Sequence, residues 1–206
     1  MTPVQEFFTI EKPGSARHTV KMSRFLSFAI PVRSADEARA IVKQYQNQYH
    51  DSRHVCWAYM LGPERLEWQL NDNGEPSGTA GKPILGQINS REVTDVLVVV
   101  VRYFGGIKLG TPGLIAAYKE AASLALDDAG RKLCVRKLQL SIQFGYETAD
   151  SVMKIIKNKN IEIADKRFDN LCGATILYPM NLDEEVRGRL SKIEGIMMEE
   201  PNESNS

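Results

Sequence analysis

His54, Cys56, Asp72, Glu75, Lys82, Arg102 and Lys108 are the residues of this sequence whose types and spacing bear on chemistry. On a strand, His54 and Cys56 point to one face about 7 Å apart, too far for a nucleophile–base hydrogen bond by spacing alone. Neither C-x-x-C nor H-x-x-x-H spacing accompanies them, so no metal ligand is assigned. The charged residues sit in or beside two glycine-rich stretches, residues 71–83 and 102–114. Between these runs Val96-Leu97-Val98-Val99-Val100-Val101, an apolar and mostly β-branched segment that reads as a strand buried on both faces. Each stretch leads into a helix. Thr111 is the expected N-cap of the second, with Pro112 at its first helical position and Gly130 ending it in a left-handed conformation. Thr79 offers a cap for the first. Two helix starts beside one strand suit an anion, because free N–H groups and the helix dipole both favour negative charge. Glycines that only form tight turns are the alternative. Neither stretch matches G-x-x-x-x-G-K-[ST] or, in its required context, G-x-G-x-x-G, so nucleotide hydrolysis is not indicated. The expected ligand groove is lined by Glu75, Thr79, Gly81, Lys82, Arg102, Tyr103, Gly105, Gly106, Lys108 and Gly110. No catalytic residue and no cofactor is assigned.

The same residues carry a resemblance. Gly74-Glu75-Pro76-Ser77-Gly78-Thr79-Ala80-Gly81, followed by Arg102-Tyr103-Phe104-Gly105-Gly106-Ile107-Lys108-Leu109-Gly110, is similar to the signature of the IMPACT family, including its bacterial YigZ-type members. His54-Val55-Cys56-Trp57-Ala58-Tyr59 resembles that family's His-x-Cys-x-Ala-Tyr segment, Ser23-Arg24-Phe25 its first-strand motif, and Asp72 stands with them as a motif residue. The chain departs from the pattern at Asn73, where a second Asp is common, at Pro112 for Gly, and at Ala116 for the Arg of Arg-Ala-Tyr. The last removes a cation beside the groove. The resemblance implies a first domain like domain IV of elongation factor G, of ribosomal-protein-like fold, and a second like its domain V. It also implies a non-catalytic, translation-linked regulatory or binding role through RNA, the ribosome or a protein partner. The alternative is a small hydrolase or transferase with Glu75 as its base. Burial of Glu75 in a closed pocket would favour that enzyme, and a solvated Glu75 on an open groove the binding protein.

The elements that position these residues read as an α+β chain of 206 residues in two domains. The net charge is zero, which argues against strong nonspecific nucleic-acid binding. From Lys12 to Arg33, however, five cations occur without an Asp or Glu, and Arg17, Lys21 and Arg24 are the candidate RNA contacts. No apolar run approaches the roughly 18–20 residues of a membrane span. Three widely spaced cysteines and the lack of a signal-peptide pattern point to the cytoplasm. Oligomeric state is left open. Residues 20–32 suit a strand, Ser34-Ala35-Asp36-Glu37 a capping box, and residues 55–61 and 66–70 a hairpin. The first domain is placed at residues 1–134. Alternating Leu138, Leu140, Ile142 and Phe144 open a β-α-β-β-α-β order, a ferredoxin-like domain over residues 135–199. Residues 200–206 are expected to form a disordered tail.

Overall fold

The computed structural model describes residues 4–159, 161–168 and 172–203. The chain divides into two compact units, Met1–Cys134 and Val135–Ser206. In the first, β1 (Glu6–Thr9) precedes a hairpin of β2 (Gly14–Val20) and β3 (Ser23–Pro31). Its turn, Lys21-Met22, has φ of 43° and 66°, the paired left-handed geometry that tight hairpins require. Helix α1 (Ala35–Gln48) follows, then β4 (His54–Leu61), β5 (Glu67–Asn71), α2 (Gly81–Ser90), β6 (Val96–Tyr103) and α3 (Gly110–Ala129). The strand order is β2-β3-β6-β4-β5, with every neighbouring pair antiparallel. The valine-rich strand is therefore central, as its uninterrupted apolar character demands.

Alternation along β6 separates two cores. Val96, Val98 and Val100 pack with Ile84, Ile88, Leu114, Tyr118 and Ala121 of α2 and α3. Leu97, Val99 and Val101 pack with Ala38 and Val42 of α1, and with Trp57 and Tyr59 of β4. Tyr59 stacks on Trp57 at 5.9 Å and donates to Gln69 Oε1 at 3.2 Å, so this motif tyrosine is a packing residue. The capping box at α1 is half made. Ser34 accepts from the Glu37 N–H at 3.2 Å, but the Glu37 carboxylate takes the Arg33 N–H at 2.6 Å instead of Ser34's own.

Helix α3 begins at Gly110 and not at Pro112, with no side-chain cap from Thr111. Gly110, at φ 71°, already turns the chain into the helix, so Thr111 falls inside the first turn. Gly130 ends α3 at φ 70°. The buried stripe runs through Leu114, Ala117, Tyr118, Ala121, Ala122, Ala125, Leu126 and Ala129, and Leu124 is half-buried. Strand β7 (Lys132–Val135) pairs with β1.

The second unit contains β8 (Lys137–Phe144), α4 (Ala149–Asn158), β9 (Glu162–Phe168), β10 (Cys172–Pro179), α5 (Asp183–Leu190) and β11 (Met197–Met198). The strand order β11-β8-β10-β9 places the first strand beside the last, the ferredoxin-like arrangement. The inward residues of β8 meet Val152 and Ile156 of α4 and Val186 and Leu190 of α5. Asp169-Asn170, which in the sequence signals a turn, lies outside the described residues. The C-terminal stretch departs from expectation: Asn202–Glu203 forms a short strand, β12, on β8, opposite Gln139 and Leu138. The backbone groups of β8 beyond the two residues of β11 are free to take it up.

Candidate functional site

Four connections meet at one end of the five-stranded sheet: the 21–22 turn, residues 49–53, residues 72–80 and residues 104–109. Both glycine stretches leave from this end, because β5 and β6 run in the same direction. The loops do not, however, form one open groove. Glu75, Thr79, Gly81 and Arg102 are buried, Tyr103 and Gly105 are half-buried, and Lys82, Gly106, Lys108 and Gly110 are exposed. The expected lining is thus split between an interior polar cluster and a surface.

Asp72 explains the first loop. Its carboxylate accepts the backbone N–H groups of Gly78 (2.8 Å), Ala80 (3.0 Å) and Gly81 (2.8 Å), which are the loop and the start of α2. The helix N-terminus expected to hold an external anion is filled by the chain's own carboxylate. Thr79 is not the cap, since its hydroxyl donates to the Pro76 carbonyl at 2.7 Å. Burial pushes the Asp72 carboxyl up, but the three amides and the charge of Lys82 outweigh it and leave its pKa below the usual value. A carboxylate with a depressed folded pKa adds stability above its unfolded pKa, about 3.9, and loses it as pH falls through the folded value. Asp72→Asn should therefore cost about 1–2 kcal/mol near neutrality. The gap to wild type should close under acid, read from urea unfolding across pH. A gap that stays constant with pH would mean that the charge contributes nothing.

Arg102 and Glu75 form the centre of the interior cluster. Alternation puts Arg102 on the face of Val96, Val98 and Val100, beneath α3, and not beside the solvent. Its Nη1 donates to Glu75 Oε1 at 2.6 Å, with the two side chains 6% and 3% exposed. Tyr118 of α3 donates to the same oxygen at 2.8 Å. His54 Nδ1 donates to the Asn73 carbonyl at 2.8 Å, leaving Nε2 3.8 Å from Glu75. Cys56 Sγ lies 3.0 Å from the Asp72 carbonyl and 3.3 Å from the Tyr118 hydroxyl. Burial pushes the Cys56 thiol up to about 12, and the Tyr118 hydroxyl is likewise raised, chiefly by burial. A thiol in that state is no nucleophile at neutral pH.

Glu75 matches neither of the two situations expected of it. It is desolvated, yet its Oε1 is held by both Arg102 and Tyr118, and it does not face a closed pocket open to substrate. A carboxylate oxygen already holding a guanidinium and a phenol is poorly placed to take a substrate proton. Asn73, at φ 44°, suits the turn as asparagine does, and its Oδ1 accepts the Val55 N–H at 2.8 Å. Among the described residues, no group of three or more His, Cys, Asp or Glu is placed to hold a metal ion.

The second site is on the surface. Met22, Arg24, Asp51, Ser52, Arg53, Tyr103 and Phe104 line a depression of about 530 Å³. The Arg24 guanidinium lies 4.9 Å from the Tyr103 ring centroid, and Tyr103 donates to Asp51 at 2.9 Å. Phe104 is 49% exposed, while Arg102 touches it from within, 5.7 Å from its centroid and 5.6 Å from that of Phe25. Of the candidate RNA contacts, Arg24 lines this depression, Lys21 adjoins it in sequence, and Arg17 is exposed further along the edge strand β2. Sequence reasoning did not single out Tyr118, Phe104 or Arg53. A tyrosine on an otherwise apolar helix stripe is the signal for the first, because a buried phenol needs a partner.

The Impact N-terminal domain family model matches residues 21–126, which include every loop of this site. A Haemophilus influenzae protein called an IMPACT family member is 32% identical over 151 residues, covering 72% of this chain and 73% of that protein. The chain belongs to the IMPACT family. IMPACT family member YigZ of Escherichia coli is 40% identical over 116 residues, 55% of this chain, and IMPACT family member YvyE of Bacillus subtilis is 38% identical over 127 residues, 62% of it. These matches span 57% and 58% of the two relatives' own lengths. A crystal structure described as that of a hypothetical protein is similar with a TM-score of 0.69 and 26% identity, covering 95% of this chain and 97% of that one. No helix among the described residues of this IMPACT chain is long and apolar enough to cross a membrane. Ala116, at the position where the family often has Arg, is solvent-exposed on α3.

Proposed function

We propose that this IMPACT-family chain is a non-catalytic binding protein of the cytoplasm that acts in translation by contacting RNA. One observation carries the reading: exposed Arg24, Arg53 and Phe104 converge on one depression, whereas the reactive side chains of the motifs are locked to one another inside. Cations and an aromatic face are the two elements by which proteins hold RNA, and neither requires a reaction. The family resemblance supplies the link to translation.

The test is sedimentation of the purified chain with ribosomes and with deproteinised ribosomal RNA at about 50 mM and 200 mM salt. Association with RNA is expected at the lower salt and loss of most of it at the higher, because each phosphate neutralised releases a counterion. Absence from both pellets at low salt would overturn the reading and leave a protein partner as the ligand class.

A further inference from the structure

Phe104 is held in a way that its exposure makes costly. Half of its surface meets solvent beside Met22, which is 72% exposed, and Ile107, 47% exposed in the same loop. Beneath, the buried Arg102 guanidinium contacts both Phe104 and Phe25, and its direction is set by Glu75. Behind Phe104, Gly105 donates its N–H to Ser23 Oγ at 3.1 Å, tying this loop to the β2–β3 turn. A ring held by a buried cation and half exposed to solvent has the form of a stacking platform. Apolar surface left in water at such a place marks a binding site.

The charges around it are short-range and mixed. Arg24 and Arg53 line the same depression as the ring, with Arg24 over Tyr103, whereas Asp51 sits there too with its carboxylate on the Tyr103 hydroxyl. Two cations and one anion do not make the long positive track that a duplex backbone requires. They suit a phosphate on either side of one unstacked base. A depression of about 530 Å³ is of the size that takes a nucleotide rather than a helix.

Resting on the RNA-binding reading above, we propose that this depression is a single-stranded RNA site, in which a base stacks on the outer face of Phe104 while Arg24 and Arg53 hold the adjoining phosphates. Recognition here is by stacking and charge, so it tolerates sequence and disfavours paired strands.

The experiment is fluorescence anisotropy of the full chain with a labelled 12-nucleotide RNA of mixed sequence, the same strand annealed to its complement, and the DNA of the same sequence. The single RNA strand should bind about ten-fold or more tightly than the duplex, and Phe104→Ala should weaken it about ten-fold while Phe104→Trp preserves it. Arg24→Gln and Arg53→Gln should each flatten the dependence of log affinity on log salt by about 0.7. All three substituted positions are at the surface, and thermal melting confirms folding. Single-stranded DNA should bind within a few-fold of the RNA, since neither contact reads the 2′-hydroxyl; DNA binding lost altogether would overturn recognition by stacking and charge. RNA binding that is indifferent to Phe104→Ala, or equal for duplex and single strand, overturns this site while leaving the RNA reading intact. Failure of every RNA to bind at low salt overturns both.

Discussion

Arg102→Ala should destabilise the first domain by about 3–5 kcal/mol, the cost of removing one member of a buried ion pair. The alanine leaves the Glu75 carboxylate with only the Tyr118 hydroxyl at bonding distance and His54 at 3.8 Å, in a site where its side chain is 3% exposed. Spacing in the sequence places Arg102 as a groove cation whose loss folding would tolerate. Burial reverses that expectation. Glu75→Gln should also be destabilising: its carbonyl oxygen can still accept from Arg102 and Tyr118, but the negative charge that compensates the buried guanidinium is gone. The double replacement Glu75→Leu with Arg102→Met should recover much of the loss, since a buried pair replaced whole by apolar groups is often neutral or stabilising. Both tryptophans, Trp57 and Trp68, lie in β4 and β5, so urea unfolding followed by their fluorescence reports on this domain. A loss below about 1 kcal/mol for Arg102→Ala would mean that the pair is hydrated, as surface pairs are. The groove would then be open after all.

How much of this was legible in the sequence depends on which physical rule each feature obeys. The second domain follows period-two alternation with little interference, so Leu138, Leu140, Ile142 and Phe144 name their own buried face. The central strand announces itself by composition, but a run apolar on both faces hides its parity. Counting by twos from Val96 through Val98 and Val100 to Arg102 nevertheless puts the arginine under α3, where Tyr118 and Glu75 meet it. His54 and Cys56 share that face by the same count, and both join the cluster. The role of Asp72 is different in kind. Its three backbone partners lie six to nine residues downstream, and their convergence on one carboxylate is set by loop geometry that no periodicity encodes. The β1 and β2 strands escaped for a related reason: they are short edge elements whose exposed and buried residues carry no strong contrast.

Gly105→Ala should be the most damaging substitution in the second glycine loop, although φ is positive at Gly106 and Gly110 instead. A Cβ at position 105 would run into the Met22 carbonyl group and the Ser23 nitrogen, all of them backbone atoms that cannot rotate aside. The loop or the β2–β3 turn must then move, and the Gly105 N–H bond to Ser23 Oγ is lost with the movement. Overpacking of this kind costs about 1–3 kcal/mol or somewhat more. At Gly106, with φ 87°, a Cβ meets nothing within 4 Å, so Gly106→Ala bears only the left-handed backbone penalty of about 1–2 kcal/mol. The two variants should also separate functionally. Displacing residue 105 shifts its neighbour Phe104 away from Arg24 and Arg53, so Gly105→Ala should weaken single-stranded RNA binding along with stability. Gly106→Ala, beyond the ring, should retain most of the binding at a temperature where both are folded. Urea midpoints and anisotropy on the same preparations decide the matter. Equal destabilisation by the two alanines would show that backbone conformation, and not the close approach of the turn, is what selects glycine in this loop.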